Sequence, residues 1–201
     1  MLTKDKLSKV FEGKVAVFID AANLEHSVAD LGSFPPRLKR IPKGYVWRAY
    51  PKGYWKVDYK KLFKFFKSKT NFSGAIFYSA RFNTKSHDDF LTFLKSIGFK
   101  LVTKEIKRIK TLEGEHRKAN FDVEISVDAT YKRGGFTTFV LFSGDSDFAY
   151  LISFLKKEGK KVVVISQRGH ASNELITVAD EYIDLFKLRN LFLVPKKQKS
   201  R

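Results

Sequence analysis

The residues best placed to do chemistry in this chain are carboxylates at the ends of apolar runs. Val140-Leu141-Phe142 leads directly into Ser143-Gly144-Asp145-Ser146-Asp147-Phe148. The β-formers stop at Ser143, and a helical pattern starts at once, with Phe148, Leu151, Ile152 and Leu155 at helix spacing. Two acids therefore sit where a buried strand hands over to a helix, the crevice in which open α/β sheets bind ligands. Val15 to Ile19 repeats the arrangement: an apolar run, followed by Asp20 and Asn23. If the two strand ends are neighbours, Asp20, Asp145 and Asp147 crowd one crevice. Like charges in a partly dry place repel and lose hydration. A hard divalent cation such as Mg2+ or Mn2+, which prefers oxygen ligands, compensates both costs. Asp122, opening a predicted helix, is placed to join them. Singly, these acids have plainer explanations. Asp145 and Asp147 suit an N-cap and a first helical turn, and Asp122 suits the positive end of a helix dipole. Their joint placement favours a shared cation.

Other chemistries are poorly provided for. The chain has no cysteine, which excludes disulfides, thiolate zinc sites and a cysteine nucleophile. His26, His87, His116 and His170 are scattered without metal-ligand spacing, and the serines near the acids lack a histidine partner. His116, in the basic stretch before Lys118, is the histidine most worth testing. A phosphotransferase that phosphorylates a strand-end aspartate expects a second aspartate two residues on, where Ala22 stands.

These positions need a scaffold, and the alternation of patterns predicts one: a parallel sheet with helices on both faces. The predicted strands are Lys14–Asp20, Gly74–Ala80, Phe99–Thr103, Thr138–Phe142, Lys161–Ile165 and a short edge strand, Tyr182–Leu185. The predicted helices are Ala21–Ala29, Val57–Lys67, Asp88–Ile97 with Gly98 as its cap, Phe121–Lys132, Ser146–Lys157 and Ser172–Ala179, with a short leading helix over 3–11. Residues 104–118 are polar and basic and read as a mobile loop. Arg168-Gly169-His170 follows a strand and so opens on the same crevice, with Ser172 as a helix N-cap. A length of 201 residues suits one domain, 1–194, carrying an insertion at 31–57 and a basic tail, 195–201, expected to be disordered.

Charge points to the partner. Lys+Arg number 39 against 21 Asp+Glu, a net charge of +18, which draws polyanions through counterion release. A merely solvated lysine-rich surface is the alternative. The insertion 31–57 has no acid and holds both tryptophans among arginines and lysines. That mixture suits single-stranded nucleic acid, whose backbone follows cations and whose bases stack on rings. Trp47, Trp55, Arg40 and Arg48 are the candidate contacts, unless the rings pack the insertion onto the domain. No apolar run reaches the roughly 18 residues of a bilayer span. The mixed, charged N-terminus has no signal-peptide core, so a cytoplasmic, non-membrane protein is expected.

Three blocks carry a resemblance. Phe18-Ile19-Asp20-Ala21-Ala22-Asn23-Leu24, Lys118-Ala119-Asn120-Phe121-Asp122-Val123 and Ser143 to Phe148 resemble, in order and spacing, the motifs of the NYN domain, the LabA-like branch of the PIN-like nucleases. Ser172 to Leu185 resembles that family's C-terminal segment, whereas 31–57 has no counterpart in it. The resemblance implies a three-layer PIN-like α/β fold and a Mg2+- or Mn2+-dependent endoribonuclease acting on single-stranded or structured RNA. It implies that Asp20, Asp122, Asp145 and Asp147 form the acidic metal-binding cluster. Asn23 would orient water or the scissile phosphate, Ser143 would be a hydrogen-bonding neighbour, and Lys118 would hold a phosphate unless it is one more surface lysine. Ala119 departs from the family's usual glycine. Asp128, about 120° round the helix from Asp122, is expected to act at most from behind the ligands. A non-catalytic RNA-binding protein on the same fold is the competing reading. Unused carboxylates beside RNA would be costly, which argues against it. The sequence leaves open whether the chain is a monomer or a homodimer.

Overall fold

The computed structural model describes residues 7, 9–31, 39–41, 44–46, 53–111 and 114–196, with the side chains of 39–46 and 107–118 outside the description. The chain opens with strand β1 (Lys14–Asp20) and helix α1 (Ala21–Asp30). Three short strands follow, β2 (Lys39–Ile41), β3 (Gly44–Val46) and β4 (Trp55–Val57), then α2 (Tyr59–Lys69), β5 (Asn71–Arg81), α3 (Lys85–Ile97) and β6 (Lys100–Glu105). A hairpin of β7 (Lys107–Thr111) and β8 (Gly114–Lys118) leads to α4 (Asp122–Tyr131), β9 (Thr138–Phe142) and α5 (Ala149–Lys157). The chain then runs through β10 (Lys161–Ser166), α6 (Asn173–Val178), β11 (Glu181–Asp184), α7 (Arg189–Phe192) and β12 (Leu193–Pro195). The basic tail beyond 196, most of the 31–57 insertion and most of the leading helix over 3–11 lie outside the described residues.

Six strands form the central sheet in the order β11-β10-β9-β1-β5-β6, and every pair is parallel. Alternate residues of a strand face opposite sides, and both sides are apolar here. Val15, Val17 and Ile19 point into one core, covered by α1, α2, α3 and α7 through Leu24, Leu62, Leu94 and Phe192. Ala16 and Phe18 point into the other, covered by α4, α5 and α6 through Ile125, Ile152 and Leu175. This is the three-layer α/β fold that the alternation of patterns predicts. No helix among the described residues is long and apolar enough to cross a membrane.

Strand order decides where the site lies. From β1 the chain builds outward through β5 and β6, then returns to β9 on the other flank of β1 and builds outward again through β10 and β11. The carboxyl ends of β1 and β9 therefore form the switch point, where the connections diverge and leave a crevice.

Three expectations need correction. Residues 104–118 are not an open loop: β6 runs to Glu105, and Lys107 to Lys118 pair as an antiparallel hairpin. Ser146–Phe148 is a 3-10 turn, and the helix proper starts at Ala149. Trp55, expected to stack on bases, is only 9% exposed and belongs to the core on the side of the sheet that α1 covers. Its strand β4 pairs with β12, Trp55 lying opposite Pro195, and its ring meets Tyr54 edge-on with centroids 4.9 Å apart. For this residue the packing alternative holds. Trp55→Ala is expected to cost about 3–5 kcal/mol, the usual range for an aromatic removed from a core. Chemical denaturation would measure it, and a cost below about 1 kcal/mol would show that the ring packs loosely.

Candidate active site

Each acid is set by a local rule. Asp20 closes β1 and caps α1, its Oδ1 accepting the Asn23 backbone N–H at 3.3 Å. Asp145 caps the 3-10 turn, its Oδ1 accepting the Asp147 N–H at 3.1 Å. Capping and metal ligation are thus not alternatives. A cap uses one carboxylate oxygen, and a carboxylate has two, with about four lone-pair sites. Asp122 is the first residue of α4, its N–H donating to Asn120 Oδ1 at 2.8 Å.

The two strand ends are tied together. Gly144 N–H donates to Asn23 Oδ1 at 2.9 Å. The buried Ser143 hydroxyl donates to Asp20 Oδ2 at 3.4 Å and accepts the Asp145 N–H at 3.3 Å. Gly144 also accepts from Ser172 N–H at 3.0 Å, which fastens the turn to the loop after β10. The turn lies so close to that loop that a Cβ on Gly144 would stand 2.2 Å from the His170 carbonyl oxygen.

Asp122, Asp145 and Asp147 come together: one carboxylate oxygen from each lies within 4.8 Å of the others. Asp122 and Asp145 are half-buried and Asp147 is exposed, so the group opens to solvent on one side. Asp20 is not in that trio. It lies beside them, close enough for Asp122 and Asp145 to act on it electrostatically. Burial, with those two neighbouring charges, pushes its carboxyl up to about 6, against the pull of the Asn23 and Ser143 hydrogen bonds. Three hard oxygen donors from two separate junctions, with a fourth acid nearby and no sulfur or imidazole among them, fit Mg2+ or Mn2+ by donor chemistry.

This raised carboxyl makes stability depend on pH. Asp20 favours the fold below about pH 4, and that contribution is lost as pH rises through about 6. At pH 7.5 the metal-free protein forgoes about 3 kcal/mol. A cation beside the acids relieves that cost. Thermal unfolding should therefore show a melting temperature raised more by millimolar Mn2+ at pH 7.5 than at pH 5. An equal rise at both values would separate Asp20 from the metal-binding group.

The remaining candidates are placed as follows. Lys118 ends β8, a short link before Asp122, with its side chain outside the described residues, as is that of His116. Arg40 lies in β2 with its side chain likewise outside, and Trp47 and Arg48 fall wholly outside. Asp128 points elsewhere: it accepts the Tyr78 hydroxyl at 2.8 Å and pairs with Lys132. His170 Nε2 meets Asp30 Oδ2 at 3.1 Å, a contact that steadies the loop against Gly144. Ser172 is a plain N-cap, accepting the Leu175 N–H at 3.1 Å. What sequence reasoning missed is the role of Gly144 and the exposed tyrosines of α4 and α5. Tyr131 and Tyr150 did carry a signal, as large rings out of phase with the buried positions of their helices.

Known proteins resemble this chain in sequence, and one solved structure resembles it in fold. The model of the NYN domain matches residues 14–186. The chain is 29% identical over 162 residues to "Low amplitude and bright protein LabA" of Synechococcus elongatus, covering 78% of this chain and 87% of that protein. A crystal structure of a protein of unknown function, VPA0982 of Vibrio parahaemolyticus, superposes with a TM-score of 0.67 at 22% identity, over 92% of this chain and 98% of that one. At that identity the likeness speaks for the fold alone.

Proposed function

The chain belongs to the NYN domain family, a nuclease-like domain of the PIN type, and from that premise we propose that it is a Mg2+- or Mn2+-dependent endoribonuclease. The observation that carries the proposal is the convergence of Asp122, Asp145 and Asp147, from two strand–helix junctions, within 4.8 Å at the switch point of the sheet. In a chain of net charge +18, an anionic centre on a cationic body suits a cation held between protein and polyanion.

The roles follow from position. Asp122, Asp145 and Asp147 would hold the ion, with the exposed Asp147 on the side from which a phosphate arrives. When bound there, a divalent ion supplies Lewis acidity to the phosphodiester and makes water nucleophilic near neutral pH. Asp20 reinforces the negative field from behind. Asn23 accepts at Oδ1 from Gly144, which turns its amide nitrogen, with two donor hydrogens, towards other acceptors. Ser143 keeps Asp20 and the Asp145 turn in register. Lys118, at the end of the hairpin before α4, is the cation nearest in sequence to Asp122 for a bound phosphate.

The test is cleavage of labelled single-stranded RNA, duplex RNA and DNA by the purified protein, with Mn2+ and with EDTA. Endonucleolytic products from RNA, lost in EDTA, are expected. Binding to RNA without any cleavage would favour the non-catalytic reading.

A further inference from the structure

A groove of about 630 Å3 runs between α4 and α5, lined by Val127, Tyr131, Tyr150, Leu151 and Phe154, and it reaches Asp147. Two features separate it from ordinary surface. Three of the residues that line it are turned outward: Tyr131 is 84% exposed, Tyr150 is 86% and Val127 is 61%, on helices whose other faces are already buried in the core, as Leu151 of the groove floor is. It also starts at the acidic centre, because α4 begins with Asp122 and α5 follows Asp147. Tyr131, the last residue of α4, lies about 13 Å along the helix from Asp122 at the helical rise. At that end stands Arg133, held by Glu158 at 3.0 Å and by the Thr130 carbonyl at 2.8 Å, with its guanidinium 6.0 Å from the Phe154 ring. A guanidinium carries five donor hydrogens, so two such contacts leave donors for a further acceptor.

We propose that this groove binds the bases of a single RNA strand leading away from the scissile phosphate, with Tyr150 and Tyr131 as stacking platforms and Arg133 on a backbone phosphate. The proposal rests on the nuclease reading for what lies at the Asp147 end. Continuity with the acidic centre and the tyrosine rings, each with a polar edge, favour this occupant over an apolar protein surface. Stacking needs an exposed base face, which a duplex hides and a single strand offers. The groove would therefore make the enzyme prefer single strands. It lies apart from the 31–57 insertion in the sequence and does not depend on it.

The experiment measures binding of a fluorescently labelled single-stranded RNA, about ten nucleotides long, in the Asp145→Asn background, which removes one negative charge and is expected to suppress cleavage during the measurement. Tyr131→Ala and Tyr150→Ala should each weaken binding on the order of tenfold, in line with the stacking energy of one base. Tyr150→Phe, which keeps the ring, should bind as the parent does. Both tyrosines are exposed, so melting temperatures should stay at the parent value. Unchanged binding in the double alanine variant overturns the proposal, as does failure of the parent to bind RNA at all. So does a dimeric parent, by analytical ultracentrifugation, that becomes monomeric in the double variant with its RNA affinity intact, since the groove would then seat a second copy of the chain. Cleavage by the wild-type chain is read separately. Failure of the nuclease reading shows there, and failure of the groove shows in binding.

Discussion

Asp145→Asn is expected to lower the rate of RNA cleavage by on the order of 10³-fold or more, about 4 kcal/mol of transition-state stabilisation. The substitution is nearly isosteric. The amide oxygen that it introduces can still accept the Asp147 N–H that Asp145 Oδ1 accepts now, so the 3-10 turn keeps its cap. What goes is one of three carboxylates with oxygens within 4.8 Å of one another, so affinity for a divalent ion at the proposed site should fall with it. Stability should hold within about 0.5 kcal/mol, since no buried contact is removed. The checks are single-turnover cleavage across a Mn2+ titration and a melting curve on the same preparation. Asp20→Asn should also impair cleavage while raising the melting temperature of the metal-free protein at pH 8, because it removes a buried charge. Undiminished cleavage by the double variant would place the chemistry elsewhere on the molecule.

Gly144→Ala is expected to damage both stability and activity, although alanine adds only one carbon. That Cβ would lie 2.2 Å from the His170 carbonyl oxygen, 2.7 Å from its carbon and 2.7 Å from Ser166 Oγ. Two of the three atoms are backbone and cannot rotate aside. Either the 167–171 loop must move, straining the His170–Asp30 contact, or the turn must move, breaking its hydrogen bonds to Asn23 and Ser172. Overpacking of this kind costs about 1–3 kcal/mol, and each kcal/mol lowers the melting temperature of a chain this size by about 2–4 °C. Cleavage should fall further than stability, because the displaced segment carries Asp145. A variant with wild-type melting temperature and wild-type cleavage would show that the turn has room to shift without loss.

Asp145 and Gly144 are neighbours, yet they differ in how far the chain announces them. The acids were legible because their signal is local. A run such as Val140-Leu141-Phe142 ending in Ser143-Gly144-Asp145 marks a strand end whatever the rest of the chain does. The importance of Gly144 was not legible, because its constraint comes from His170, in the loop after a different strand. The hairpin of β7 and β8 escaped for another reason. Its strands are polar, so pairing shows in backbone hydrogen bonds and not in hydrophobic alternation. Trp55 misled through its neighbours: Lys52 and Lys56 suggest a surface, and only pairing of β4 with β12 turns the ring inward.

By itself, the sequence determined the six strands of the central sheet, the helices between them and their order, and the placing of Asp20, Asp122, Asp145 and Asp147 at strand and helix ends. Periodicity and capping act over a few residues and are written directly in the chain. Only the tertiary structure decided that β9 lies beside β1, so that Asp122, Asp145 and Asp147 converge while Asp20 stays outside their trio and Asp128 turns to Tyr78 and Lys132. Strand order depends on packing both faces of the sheet at once, and no local pattern encodes that choice. The opening cluster of acids is therefore a property of the sequence, and its division into three converging carboxylates and one outside the trio is a property of the fold.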